Sequence, residues 1–89
     1  MKSSFSILVI LVLGLSAKAQ KRDSSDFYLS KANLAVQERR IQQALNLFEK
    51  SIQFDSTNVA ALQAMGDYAL ETRNYRQAVV AYTKWHQLE

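Results

Sequence analysis

The chain repeats itself once, at a period of 34 residues, and this constrains its fold more than any other feature. Ile41, Ala44, Leu45, Phe48 and Ile52 stand at offsets 0, +3, +4, +7 and +11. Tyr75, Ala78, Val79, Tyr82 and His86 take the same offsets 34 residues on, and only the last slot loses its apolar character. Between 25–55 and 59–89 six of 31 positions are identical: Ala35/Ala69, Arg39/Arg73, Gln43/Gln77, Ala44/Ala78, Lys50/Lys84 and Gln53/Gln87. Average composition would produce about two. A repeat of this length is one supersecondary unit that cannot bury its apolar face alone, so units stack on each other. Such a chain works by presenting a surface.

The N-terminus has a different pattern. Lys2 precedes an 11-residue stretch, Phe5–Leu15, interrupted only by Ser6 and Gly14, and Ala17 and Ala19 then fit an A-x-A cleavage pattern. That order describes a secretory signal over 1–19, with cleavage before Gln20. The apolar stretch falls short of the about 20 residues that a membrane-spanning helix needs. The competing expectation is a signal retained as an anchor. With no Cys in the chain, neither a lipid-modified cysteine nor a disulfide is available.

Export changes the charge argument. Of 11 basic and 8 acidic residues, Lys2 and Lys18 leave with the signal, so 9 and 8 remain, a net of +1. The remaining basic residues are scattered, with Lys21-Arg22 at the new terminus and Arg39-Arg40 in a turn. Nucleic-acid binding needs a basic stripe on one face, and none is present.

Residues 20–89 hold one Gly and no Pro, and their apolar residues recur at helical spacing, which predicts an all-α domain. QKRDSS, 20–25, reads as a flexible lead-in, with Ser25 as N-cap of a helix over 26–38 that carries Tyr28, Ala32, Ala35 and Val36. A second helix spans 42–54. Asp55-Ser56-Thr57-Asn58 forms a turn, because these short side chains serve free backbone donors. A third helix covers 59–72, with Leu62, Met65, Ala69 and Leu70 on one face. Asn74 starts a fourth, with Gln77 placed for a capping box. Tyr28, Phe48, Tyr75 and Tyr82 recur at repeat spacing and are expected in the core.

Chemistry is scarce. His86 is the single histidine, and without a Cys or second His it makes no metal site. Asp23 and Asp26 read as charges at a helix start. Neither a catalytic pair nor a cofactor motif stands out, so an enzyme is not expected.

The 44–58 segment, ALNLFEKSIQFDSTN, resembles the second helix and exit turn of a tetratricopeptide repeat, and Leu62–Tyr68 resembles the start of the next. Leu62, Gly66, Tyr75, Ala78 and Tyr82 occupy the family's large, small, aromatic, Ala and aromatic slots; Tyr28, Ala32, Ile41, Ala44 and Phe48 occupy them in the first unit. Lys31 stands at a usually apolar slot, Ser56 at a usual Pro and Trp85 at a usual small residue. Repeat 1 covers about 25–58. Repeat 2, 59–89, is about three residues short of a full period.

The resemblance implies two antiparallel helical hairpins stacked as tetratricopeptide repeats, a short α-solenoid over 26–89. It implies a groove for a partner protein or peptide along the first helix of each unit: Asp26, Leu29, Ser30, Asn33 and Gln37, then Ala60, Gln63, Ala64, Asp67 and Glu71. A clamp on a peptide carboxylate is not expected, since only Asn33 fits one while Asp26, Asp67 and Glu71 are acidic. The implied function is an interaction module or scaffold exported to the periplasm or outer envelope of a bacterium. The alternative is a self-associating structural module, or the N-terminal repeat segment of a larger envelope protein. On the last helix, Tyr82, Trp85 and Leu88 are expected to contact another copy, a partner or further repeats, unless Trp85 folds back over its own hairpin.

Overall fold

A computed structural model describes the backbone from Lys2 to Glu89 and the side chains from Ala19 onward. The side chains that carry the export pattern at 1–18 therefore lie outside the described residues. Four helices follow in order, α1 (Lys2–Gln37), α2 (Ile41–Phe54), α3 (Val59–Glu71) and α4 (Tyr75–Gln87), and the described residues contain no strand. The fold is all-α. Each helix packs on the next, α1 on α2, α2 on α3 and α3 on α4.

α1 continues unbroken through residues 20–25, where the sequence suggests a lead-in. Ser25 is therefore not an N-cap: it lies mid-helix and fully buried. No Gly or Pro interrupts this segment, and Arg22 holds the turn by reaching Asp26 at 3.4 Å and Asp55 at 3.2 Å. From here Ser25, Ala32 and Ala35 are buried, with Tyr28 half-buried between them. Their 0, +3, +7, +10 spacing keeps one stripe on α2.

The two hairpin turns are built alike. Arg39 and Arg73, one repeat apart, adopt left-handed backbone with φ of 62° and 61°. Arg40 N–H donates to Ala35 O at 2.8 Å and Asn74 N–H to Ala69 O at 2.7 Å. Arg39 and Arg73 N–H reach Val36 O and Leu70 O. This bond pair is the Schellman closure of a helix C-terminus, usually made with Gly at the left-handed position. An L residue there costs roughly 1–2 kcal/mol.

The start of α4 departs from expectation. Asn74 occupies the N-cap position, but its side chain makes no cap bond, and Gln77 Oε1 is enclosed without a hydrogen-bond partner. The capping box does not form. The α2–α3 turn does use its side chains: Asn58 Oδ1 accepts from Ala61 N–H at 3.3 Å. Asp55 Oδ1 accepts from Thr57 N–H at 3.0 Å and Thr57 Oγ1 at 2.6 Å.

Leu45, Phe48 and Leu62 are the largest fully buried apolar side chains, each contributing about 1.5–3 kcal/mol by leaving water. Small residues surround them: Ala32, Ala35, Ala44, Ala61, Ala69, Ala78 and Ala81 are all buried, which lets the helices approach closely. A polar cluster crosses this core. Ser25 Oγ donates to Ser51 O at 2.8 Å, and Ser51 Oγ donates back to Ser25 O at 2.7 Å. Asn58 Nδ2 donates to Ser25 Oγ at 2.8 Å. Both hydroxyl protons and the amide are thus satisfied, as burial requires. Ser25 faces Ser51 while Ala35 O meets Arg40, so α1 and α2 run in opposite directions.

Two residues expected inside are outside. Tyr75 is well exposed at the first position of α4. Leu70 is half exposed: next to buried Ala69, it is turned 100° away around the helix. Tyr28 and Tyr82 are half-buried and only Phe48 is fully enclosed. Gly66 meets the Tyr82 ring, whose atoms would lie 2.6–2.9 Å from a Cβ placed there. The small residue at this slot makes room for an aromatic side chain.

Candidate functional site

One open hollow of about 540 Å³ lies along α3, lined by Asn33, Ala60, Gln63, Ala64, Asp67, Tyr68, Leu70 and Glu71. α3 supplies every residue but Asn33, because 60, 63, 64, 67 and 71 recur at helical spacing along one side of it. Of the expected groove residues, Asn33, Gln63, Asp67 and Glu71 come together here with Ala60 and Ala64. Asp26, Leu29 and Gln37 are not part of this lining. Asp26 binds Arg22 and accepts from Asn58 Nδ2 at 3.2 Å, which commits it to the α1–α3 junction. Leu29 is half-buried against the core, and Gln37 is exposed at the end of α1. Tyr68 and Leu70 join the hollow although sequence reasoning left them out or placed them in the core. A helical wheel centred on Asp67 would have put both on its flanks.

The lining holds two carboxylates and no cation. Asp67 accepts a hydrogen bond from the Tyr82 hydroxyl, so α4 fixes the position of that carboxylate. The same bond, followed by partial burial, pushes the Tyr82 hydroxyl above its ordinary pKa. Apolar surface from Leu70 and the Tyr68 ring lies beside the carboxylates. Tyr68 is itself held by stacking on Phe48, with ring centroids 5.9 Å apart.

A tighter cavity of about 190 Å³ is lined by Glu49, Ile52 and Gln53 of α2, Leu62 and Met65 of α3, and Val80, Ala81 and Lys84 of α4. At the C-terminal end, Tyr82 and Trp85 pack on the core with their rings 6.3 Å apart, while Leu88 is exposed. The apolar side chains left open on α4 are Tyr75, Val79, Val80 and Leu88. Among the described residues no three His, Cys, Asp or Glu side chains stand close enough to hold a metal ion, and no helix is long and apolar enough to cross a membrane. His86 is exposed, 4.0 Å from Glu89. No family model, curated protein or solved structure matches the chain.

Proposed function

We propose that the chain is an exported protein–protein interaction module of the bacterial cell envelope, a short tetratricopeptide-like α-solenoid whose hollow along α3 receives a partner segment. The observation that carries this reading is the convergence of Asn33, Gln63, Asp67 and Glu71 on one open hollow with two carboxylates and no cation. Docked peptides are gripped by a few anchors in such clefts, and like charge excludes acidic competitors. The partner is a protein or peptide with a basic, partly apolar segment, and nucleic acid is disfavoured by the acidic lining. No cofactor enters this reading. Export rests on the signal pattern at 1–19, which places the working protein in the periplasm or outer envelope.

Crosslinking capture from envelope extract tests the reading, with wild type compared against Asp67→Lys/Glu71→Lys. A partner held by wild type and lost from the variant supports it. Equal capture by both would refute the hollow as the binding site. Intact mass of the exported protein tests the address, since cleavage leaves a chain beginning at Gln20. The second reading, a self-associating module or a repeat segment of a larger protein, is favoured by one observation: Val79 on α4 is 63% exposed.

A further inference from the structure

The two ends of the helix stack carry complementary faces, and we infer that a second copy of this chain docks head-to-tail, its α1 covering α4. This docking rests on the self-association reading and does not depend on what fills the hollow along α3. The repeat makes the interior α2–α3 contact a template for the two ends. Leu45 on α2 is 0% exposed, and its counterpart Val79 on α4 is 63% exposed. Phe48 is fully enclosed while Tyr82 is half-buried, and half-buried Ile41 corresponds to exposed Tyr75. The stripe is largely enclosed on α2, which packs on both α1 and α3, and more open on α4, which among the described residues packs chiefly on α3.

The other end mirrors this. On α3, Ala61, Met65 and Tyr68 share one face by helical spacing, and Tyr68 stacks on Phe48, so that face is turned to α2. One repeat earlier those slots hold Phe27, Lys31 and Leu34 of α1. Ala61 is 0% exposed, whereas Phe27 and Leu34 are 54% and 56% exposed. α1 thus presents outward the face that α3 uses to cover α2.

The polar substitutions fall on matching slots. Met65 of α3 and Ile52 of α2 line the same small cavity, which α4 also borders. Their counterparts at the two ends are Lys31 and His86, with Glu89 three residues beyond His86. Stacking brings Lys31 to the last turn of α4, where the helix dipole and the Glu89 carboxylate favour a cation beside the Lys84 and His86 already in that turn. The Lys31 ammonium now rests over the Phe27 ring, 4.9 Å from its centroid, so the cation already lies on the face that would dock. A contact limited to one face of α4, 13 residues long, is expected to bury less than the about 1,200 Å² of a stable interface, so association is reversible and concentration-dependent. Because the two surfaces differ, the contact is heterologous and builds open chains or rings.

Sedimentation of the exported protein over a wide concentration range tests this with two single-end variants. Val79→Glu closes the α4 end and Leu34→Glu the α1 end. Both positions are exposed, and circular dichroism melting confirms that each variant is folded. Wild type is expected to gain mass with concentration, and each variant alone to stay monomeric or weaken at least about tenfold. An equimolar mixture of the variants should form a dimer, since it retains one intact end of each kind. Three results would overturn the inference: a wild-type monomer up to about 1 mM, Leu34→Glu associating as wild type does, or a mixture of folded variants that stays monomeric. The second would mean that α4 pairs with itself, and the first that a different partner or a continuation of the chain covers it.

Discussion

Single residues decide how closely these helices approach. Gly66 sits mid-helix, where Ala would ordinarily be better by about 1 kcal/mol. Here the added methyl would come within 2.6 Å of the Tyr82 ring, and the ring could yield only by giving up its bond to Asp67. Gly66→Ala is therefore expected to destabilise the protein by about 1–2 kcal/mol in urea unfolding. In a Tyr82→Leu background the same change should become neutral or stabilising. Asp55 supplies a pH-dependent counterpart. Hydrogen bonds from the Thr57 hydroxyl and then the Thr57 N–H, aided by Arg22, hold its carboxyl below the ordinary range. A depressed folded-state pKa stabilises the fold in full above the unfolded value and is lost as the pH falls through the folded one. Asp55→Asn should thus lower stability slightly at pH 7 and flatten part of the loss seen below about pH 4. An unchanged acid limb in thermal melts between pH 2 and 7 would count against this role.

At the scale of the helices, closeness comes from small side chains and direction from polar ones. Ala78 is buried on α4, whereas Gln63 is exposed beside the hollow on α3. Ala78→Leu overpacks a close helix contact and is expected to lower the melting temperature by at least about 5 °C, corresponding to about 1–3 kcal/mol. Gln63→Leu should shift it by less than about 2 °C, within the range of surface changes. Equal shifts would mean that the repeat register assigned to α3 and α4 is wrong. The α1–α2 pair is held differently. Ser25 and Ser51 exchange hydrogen bonds through each other's backbone carbonyls, which fixes the axial position of one helix on the other in a way that alanines alone would not.

In the whole molecule, Asn58 adds a polar tie between the two hairpins. Its amide donates to Ser25 of α1 and to Asp26, while its carbonyl oxygen caps α3. The Phe48–Tyr68 stack closes the same junction from the apolar side. Asn58→Ala removes a cap, worth about 1 kcal/mol, and strands the buried Ser25 hydroxyl without its donor. Native-state hydrogen exchange should show protection falling in α1 and α3 together. Loss confined to the first turn of α3 would reduce Asn58 to a local cap.

The periodicity determined the helices by itself. With one Gly and no Pro after residue 19, an apolar residue every three or four positions leaves little choice but α2, α3 and α4, whose ends fall within a residue or so of those expected. The groove was implied by the resemblance and not by periodicity; of the residues it names, Gln63, Asp67 and Glu71 line one hollow because their spacing puts them on one face of α3, and Asn33 of α1 lies beside them. What periodicity cannot encode is which face another helix covers. Tyr75 repeats Ile41 and Val79 repeats Leu45, yet one pair is sheltered and the other open, because α2 packs between α1 and α3 while α4, among the described residues, packs chiefly on α3. The role of Ser25 followed the same rule. Its sequence context suits a cap, but only the approach of Ser51 and Asn58 from two other helices made a buried hydrogen-bonded site of it.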